Sequence, residues 1–344
     1  MNVRTRYYIE TYDGLFFAVT NYTHPKDYVI SFLRYVPSDD GNRSLNGLKY
    51  KKVNSSQAYS IIKEKYPNYL IDWNVENKKM MAVAVEDIKR IYNPIEGLKD
   101  IRNKRDTNKF YEKIALLTDI FHNECDIPYS DMGISGSTLI GLEDTEESDI
   151  DLIIFGRENH KKAREYYAKA KYDKNSPLDC IDERYWKRIF DKRIFDETFT
   201  LDEFSWYEFR KNNRGLIKGT LFDISFTKKF EEIENEENLY FRPIGNIKIK
   251  CQIIDDSKSY ETPAIYNIKD VEILEGEDRI IEKIVSFTHT YAGIVKNNER
   301  IIASGVCEEC LNKDTGKKTY NLVVGTTREA INEYVKLENN PLKE

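Results

Sequence analysis

The sequence predicts an α+β protein built of three parts, and two observations lead to this prediction. The chain has 344 residues, and single cores usually stop growing at about 250 to 300 residues. Helical and strand-like patterns alternate through most of the chain, whereas short strands separated by turn residues fill its C-terminal part. We therefore expect a small α+β domain over residues 1–104, a central domain with a mixed sheet flanked by helices over 105–235, and a β-rich barrel or sandwich over 236–344.

The first part begins with a predicted β-hairpin. Strand-like runs occupy residues 6–10, 15–20 and 28–35. The first two runs are joined through Asp13-Gly14, a dipeptide that is favoured in tight hairpin turns. Apolar residues at helical spacing predict one helix around residues 58–62 and another near Val85. The charged stretch 99–109 has little to bury, which predicts the first domain boundary.

The central part combines helices with a few strands. Apolar residues recur at spacings of three and four from Phe110 to Phe121, which predicts an amphipathic helix that ends near Cys125. Further helices are expected at residues 159–170, 185–195 and 204–212, and strands at 132–135, 149–155 and 221–226. The acidic stretch 231–237 then marks the second boundary.

Short strands dominate the C-terminal part, and one helix is expected there near residues 327–337. The predicted strands lie at residues 247–254, 271–274, 281–288, 300–306 and 320–324. Several short strands with turn residues between them are typical of a small barrel or sandwich.

Three aspartates in the central part carry the candidate chemistry. Side chains alternate along a strand, so Asp149 and Asp151 project from one face with Cα atoms about 6.6 Å apart. Asp223 lies between the apolar residues Phe222 and Ile224, so it can point to the same face from a neighbouring strand. Converging carboxylates repel one another, and several hard oxygen ligands select Mg²⁺ or Mn²⁺. The sequence therefore predicts that these aspartates bind two divalent ions.

The segment Gly136-Ser137-Thr138 has a complementary role. Glycine allows the backbone to approach a ligand closely, and the next two residues can begin a short helix whose amide groups face an anion. If that anion is a nucleoside triphosphate, metal held by Asp149 and Asp151 would neutralise its phosphates. An ion shared with Asp223 would activate an acceptor hydroxyl.

These motifs resemble those of the DNA polymerase beta-like nucleotidyltransferase superfamily. The matching segments are an apolar residue followed by Gly-Ser at 134–137, an Asp-x-Asp strand at 148–152, and a third carboxylate between apolar residues at 221–225. The resemblance covers roughly residues 110–230. It implies that Gly136, Ser137 and Thr138 bind triphosphate, and that Asp149, Asp151 and Asp223 bind metal and are catalytic.

In one respect the chain departs from the superfamily pattern. Smaller members often have an arginine soon after Gly-Ser, whereas residues 138–140 here are Thr-Leu-Ile. A cationic group for the phosphates must therefore come from elsewhere. The candidates are cations that precede the third-acid strand, namely Arg210, Lys211, Arg214 and Lys218.

The expected activity is transfer of a nucleoside monophosphate from a nucleoside triphosphate to an acceptor hydroxyl, with release of pyrophosphate. RNA is one candidate acceptor. The segment 157–194 has 12 Lys and Arg against 7 Asp and Glu, interleaved with aromatic residues that can stack on bases. The alternatives are a protein or small-molecule adenylyltransferase, which the net charge of −6 favours, and a catalytically silent module that binds nucleotide or RNA.

Composition sets the remaining expectations. No apolar run approaches the roughly 18 residues of a membrane span, and no signal-peptide pattern follows Met1, so we expect a cytoplasmic protein without membrane contact. Five cysteines do not form a disulfide framework. Cys307 and Cys310 are half of a zinc motif that only Cys251 and His289 could complete. Ordinary thiols are the alternative, as is a disulfide if the Lys- and Glu-rich composition reflects heat adaptation.

Overall fold

The computed structural model describes residues 2–73, 75, 78–234, 238–327, 329–339 and 342. The chain divides into two compact units. The first unit comprises Met1–Asn74, Lys78–Cys180 and Asn213–Asn235, and the second comprises Val75–Asn77, Ile181–Asn212 and Glu236–Glu344. The first unit thus combines the N-terminal segment with most of the central one, which the sequence assigned to separate domains.

An eight-stranded sheet lies in the N-terminal segment of the described chain. Its elements are β1 (Tyr8–Thr11), β2 (Phe16–Val19), β3 (Tyr28–Pro37), β4 (Arg43–Leu45), β5 (Leu48–Lys52), α1 (Ser55–Lys65), β6 (Leu70–Trp73), β7 (Lys78–Ala84) and β8 (Ile88–Tyr92). The strand order is β4-β5-β3-β2-β1-β8, and β7 pairs with both β3 and β6. As the Asp13-Gly14 dipeptide predicted, β1 and β2 form an antiparallel hairpin.

The two faces of this sheet pack into different cores. Ile9 and Phe17 lie on one face, in a core that also contains buried residues of α1. Phe16 and Tyr35 lie on the opposite face and share a second core with Ile150 of the central segment. This shared core explains why the N-terminal and central segments form one unit, since apolar burial continues from one to the other.

The central segment of the first unit forms a five-stranded sheet covered by helices. Its elements are α2 (Pro94–Asn103), α3 (Lys109–Cys125), β9 (Met132–Ile134), α4 (Gly136–Leu139), β10 (Ile150–Phe155), α5 (Arg157–Ala170), β11 (Leu178–Asp179), β12 (Arg214–Ile217) and β13 (Thr220–Thr227). The strand order is β11-β12-β13-β10-β9. Within this sheet β10 and β13 are parallel, and the other neighbours are antiparallel.

The helix expected near Val85 was placed too early. Val85–Asp87 forms a single 3-10 turn followed by β8, and the α-helix starts at Pro94. Proline is favoured at the first helical position because its missing N–H has no partner there in any case. The stretch 99–109, expected as a boundary, contains the end of α2, where Ile101 is buried.

The second unit combines two helices with a β-barrel. Its elements are α6 (Glu183–Arg193), α7 (Leu201–Lys211), β14 (Leu239–Asp255), β15 (Ala264–Glu275), β16 (Ile281–Ser286), β17 (Arg300–Asn312), β18 (Lys318–Val324) and β19 (Tyr334–Leu337). The strand order is β14-β15-β16-β18-β17. Because β17 also pairs with β14, the sheet closes on itself. The barrel-like prediction for this part therefore agrees with the strand pairing.

The helix expected near residues 327–337 was wrong. Tyr334–Leu337 is the strand β19, which pairs antiparallel with β17. A short apolar run does not distinguish helix from strand by itself, and here the pairing partner decides the outcome. No helix in the described part of the chain is long and apolar enough to cross a membrane.

Candidate functional site

The three predicted aspartates lie together at the parallel strands of the central sheet. Asp151 of β10 is directly opposite Asp223 of β13 in the parallel register, so their side chains project from the same face. Asp149 stands immediately before β10. Burial and then the carboxylate of Asp223 raise the pKa of Asp151 to about 6, and the charge of Asp149 acts in the same direction.

Gly136 lies directly against this acid cluster. Its φ is +66°, a left-handed conformation that favours glycine, and a β-carbon at this position would collide with the carboxylate of Asp151. The preceding residue fixes the approach, because the Ser135 amide donates to the Asp151 carbonyl at 2.9 Å. Any side chain at position 136 would displace Asp151.

Ser137 and Thr138 lie in the single turn of α4 that follows. The Ser137 hydroxyl lies 3.5 Å from the Ser148 hydroxyl and forms a hydrogen bond with Tyr35 of the N-terminal sheet. The hydroxyl oxygen of Thr138 is buried and finds no hydrogen-bond partner among the described residues. Buried hydroxyl groups usually have a partner, so this one is suited to a polar ligand.

The cations suggested by the sequence have different positions. Arg214 of β12 is opposite Asp223 and donates to both of its carboxylate oxygens, with 2.6 Å between Nη2 and Oδ2. Lys218 is half-exposed, with its ammonium 3.4 Å from the Glu112 carboxylate. Arg210 and Lys211 belong to the second unit, where they pair with Glu299 and Glu208.

Sequence reasoning missed the cations of the N-terminal sheet. Both Arg6, just before β1, and Lys52, at the end of β5, lower the pKa of Asp151 by their positive charge. Arg34 of β3 forms a hydrogen bond with Tyr8, and burial together with the negative charge of Asp151 raises the pKa of that tyrosine. No motif marks these residues. The one available signal was the period of two, which places Lys52 on the same face of β5 as the buried Tyr50.

The donor set suits a hard divalent cation, because it consists of carboxylate and hydroxyl oxygens. In the described residues no three His, Cys, Asp or Glu side chains form a metal-binding group as they stand. Arg214 donates to both oxygens of Asp223, so an ion bound there would compete with the guanidinium group. Glu146 and Glu147, before β10, are exposed.

The structure bears on two other hypotheses from the sequence, namely RNA contact by residues 157–194 and a shared site of Cys307 and Cys310. Residues 157–194, the candidate RNA-contacting segment, are divided between the two units. Tyr167 and Trp186 in it are buried and cannot stack on a base, whereas Tyr172 is exposed. Cys307 and Cys310 are both free and buried in β17. Residues three apart in a strand point to opposite faces, so these two thiols cannot share a zinc ion or a disulfide.

Comparison with known proteins identifies a full-length relative. The uncharacterized protein MJ1086 of Methanocaldococcus jannaschii is 41% identical to this chain over an alignment of 348 positions. The alignment covers 98% of this chain and 100% of the relative. The chain belongs to the family of that protein. The likeness extends through both units, so the family includes the acid cluster's unit and the barrel's unit. The relative's name states no activity and adds none to this chain.

Neither of the other comparisons gave a match. No protein-family model matches the chain. No solved structure matches it.

Proposed function

We propose that the chain is a metal-dependent nucleotidyltransferase that transfers a nucleoside monophosphate to an acceptor hydroxyl and releases pyrophosphate. One observation carries the proposal: Asp151 and Asp223 face each other on parallel strands while Gly136 lies against the Asp151 carboxylate. Like charges on directly opposite residues of neighbouring strands are costly unless a ligand or counter-charge neutralises them. The arrangement joins an acid cluster to a helix start that is suited to an anion.

Asp149 and Asp151 would hold the ions on the nucleotide side, and Asp223 with Asp151 those on the acceptor side. When bound, the ions supply charge neutralisation at the polyphosphate and lower the pKa of the acceptor hydroxyl. Asp151 belongs to both sets because the charges of both Asp149 and Asp223 act on it. Its raised pKa reflects burial and the Asp223 charge, and a cation nearby would favour the ionised form.

The remaining residues orient the nucleotide. The amide groups at the start of α4 and the hydroxyl groups of Ser137 and Thr138 donate to phosphate oxygens. Arg214 has a second role, because a guanidinium released from Asp223 is placed to donate two hydrogen bonds to a phosphate. Lys218 lies further along the same hairpin, half-exposed beside Glu112.

A silent binding module is the second candidate, and one observation favours it. Arg214 satisfies both oxygens of Asp223 with hydrogen bonds. A carboxylate held in this way is structural if the pair never opens. The two candidates therefore differ in whether Asp223 exchanges its guanidinium partner for a metal ion.

Label transfer separates the candidates. The protein is incubated with each α-labelled nucleoside triphosphate, Mg²⁺ or Mn²⁺, and either total RNA or total protein from the source cells. If the protein catalyses this transfer, either the RNA or the protein fraction becomes labelled. The labelled fraction then identifies the class of acceptor. RNA stays a proposed acceptor, and a labelled protein fraction would replace it.

The Asp149→Asn and Asp151→Asn double variant provides the test of the site. It keeps the side-chain size and removes the charges, so transfer should fall by at least about 10³-fold, in keeping with loss of metal-assisted catalysis. The double variant Glu146→Gln and Glu147→Gln is the matched control, since it removes two exposed acids from the preceding loop. Equal labelling by the aspartate variant and the parent would overturn the proposal.

A further inference from the structure

The N-terminal sheet contributes charge to a site that otherwise lies in the central segment. The superfamily-like motifs lack an arginine after Gly-Ser, so the phosphate-binding cations must come from other elements. Three aspartates and a polyphosphate together carry more negative charge than two divalent ions neutralise. The protein must therefore supply further positive charge close to Asp151.

The backbone of Arg6 is fixed next to the Ser135–Gly136 turn in an unusual conformation. Its φ is +75°, a conformation that is rare for residues other than glycine. The Arg6 amide donates to the Val19 carbonyl at 3.0 Å, and the Arg6 carbonyl accepts from the Ser135 hydroxyl at 2.8 Å. Left-handed residues that are fixed on both sides in this way cluster at ligand sites.

Ser135 connects Arg6 to the strand β10, which contains Asp151. Its hydroxyl donates to Arg6 and its amide donates to the Asp151 carbonyl at 2.9 Å. Gly136 follows at once and lies against the Asp151 carboxylate. The backbone that positions Arg6 is thus the same backbone that positions the candidate phosphate-binding turn.

Lys52 approaches the site from the end of β5. It is opposite Tyr35 in the antiparallel register, so both side chains project from the face of the sheet that belongs to the central core. Tyr35 forms a hydrogen bond with Ser137, which places this face beside α4. Lys52 is exposed and is therefore accessible to a ligand.

We infer that Arg6 and Lys52 bind the polyphosphate of the nucleotide, which makes the N-terminal sheet one wall of the nucleotide site. This inference rests on the proposed function. Arg6 reaches the polyphosphate from the side of Asp151, and Lys52 reaches it from the side of α4. With Arg214 they form three cations from three strands or strand ends, in place of an arginine after the Gly-Ser motif.

Titration calorimetry with inorganic tripolyphosphate in the presence of Mg²⁺ tests the inference without the base or the acceptor. The variant Lys52→Gln should weaken binding by about 10-fold or more, as expected for loss of a charge-assisted contact. Lys51→Gln is the matched control, because Lys51 is on the opposite face of β5 and pairs with Asp40 at 2.6 Å. This control should bind tripolyphosphate like the parent.

Arg6→Gly separates binding from folding. Glycine adopts a positive φ freely, so this variant removes the charge and leaves the backbone conformation in place. It should still fold, as circular dichroism would show, while its tripolyphosphate affinity falls by about 10-fold or more. An arginine with a structural role alone would give unchanged affinity in the folded variant.

The outcomes distinguish the inference from the proposed function. If the parent binds neither tripolyphosphate nor nucleoside triphosphate, both fail. If the parent binds and the Asp149 and Asp151 double variant does not, while Lys52→Gln and Arg6→Gly bind like the parent, the inference alone is overturned. Loss of affinity in both cation variants, with Lys51→Gln unaffected, supports it.

Discussion

Each unit contains a cluster of charged side chains, and the two clusters differ in burial and in construction. In the second unit Glu208 of α7 accepts from Lys211 of the same helix and lies 3.1 Å from Arg193 of α6. Lys211 is completely buried, and its ammonium also donates to the Thr290 carbonyl at 2.7 Å. Every charge in this cluster has a close protein partner, and water is largely excluded.

The cluster of the first unit is more open. Asp149 and Lys52 are exposed, Asp151 is partly buried, and the cations come from elements that are distant in sequence. Here the backbone is strained at Arg6 and an acid is pressed against Gly136. Under the proposed function, the site is the cluster of accessible, mutually repelling charges beside a strained backbone, and the buried, fully paired cluster is structural.

The largest expected effect concerns the buried cluster of the second unit, formed by Arg193, Glu208 and Lys211. Glu208→Leu would leave the buried Lys211 without its carboxylate partner, so the free energy of unfolding should fall by about 3 to 5 kcal/mol. Urea unfolding followed by circular dichroism measures this loss. Asp191→Asn is the control, because the Lys187–Asp191 pair is exposed on both sides and its loss should cost about 0 to 1 kcal/mol. Equal losses in the two variants would show that burial gives the Glu208 cluster no more importance for stability than an exposed ion pair has.

The next effect concerns the open cluster. Gly136→Ala would push the Asp151 carboxylate away, and a displacement of about 1 Å at a reacting group can lower the rate by about 10²-fold. Gly316→Ala is a matched control, since its φ of +69° is close to the +66° of Gly136 and its added carbon meets nothing within 4 Å. Both variants incur the left-handed backbone cost of about 1 to 2 kcal/mol, but only the first should lose label transfer. If both variants transfer label at the same rate, the contact between Gly136 and Asp151 has no catalytic importance.

A smaller effect concerns a buried but neutral group of the first unit. His160 of α5 donates from Nε2 to the Ile224 carbonyl at 3.2 Å, and its Nδ1 accepts from Arg164. Burial, and secondarily the Arg164 charge, lower the pKa of His160 from 6.5 to about 3. The unfolded chain then binds the proton more readily, so stability should decline as the pH falls from 6.5 toward 3, by at most about 1.4 kcal/mol per pH unit.

Comparison with His160→Gln isolates this contribution. The pKa of Asp151 is raised, so its ionisation destabilises the fold as the pH rises from about 4 to 6, which is the opposite direction. That effect is present in both proteins and cancels in the difference. The urea concentration at the unfolding midpoint should therefore fall further between pH 7 and pH 5 in the parent than in the variant. Parallel declines would show that His160 is not the titrating group.

Local sequence signals predicted several elements of the first unit, including the strand that contains Asp151. The Asp13-Gly14 turn, the amphipathic helix from Phe110 and the alternating strand before Phe155 all appear in the structure with small changes of boundary. Period-two alternation and apolar flanks also indicated which way Asp151 and Asp223 point. These signals act over a few residues, which is why the sequence reveals them.

Long-range packing was the part that sequence could not supply. Nothing near Arg6 or Lys52 indicates that the N-terminal sheet shares a core with the central sheet, because that core joins residues more than a hundred positions apart. The grouping of residues 181–212 with the barrel has the same origin. The strand at Tyr334–Leu337 was mistaken for a helix because its identity depends on β17, which is distant in sequence.

The most direct test of the account is a crystal structure with Mn²⁺ and a non-hydrolysable nucleoside triphosphate, with the ions located by anomalous scattering. Anomalous peaks are expected at about 2.0 to 2.3 Å from the carboxylates of Asp149 and Asp151. The Asp223 carboxylate is expected to have exchanged Arg214 for an ion, and the phosphates to lie within hydrogen-bond distance of Ser137. Manganese bound elsewhere, or Asp223 still holding Arg214 with both oxygens while nucleotide is bound, would contradict it.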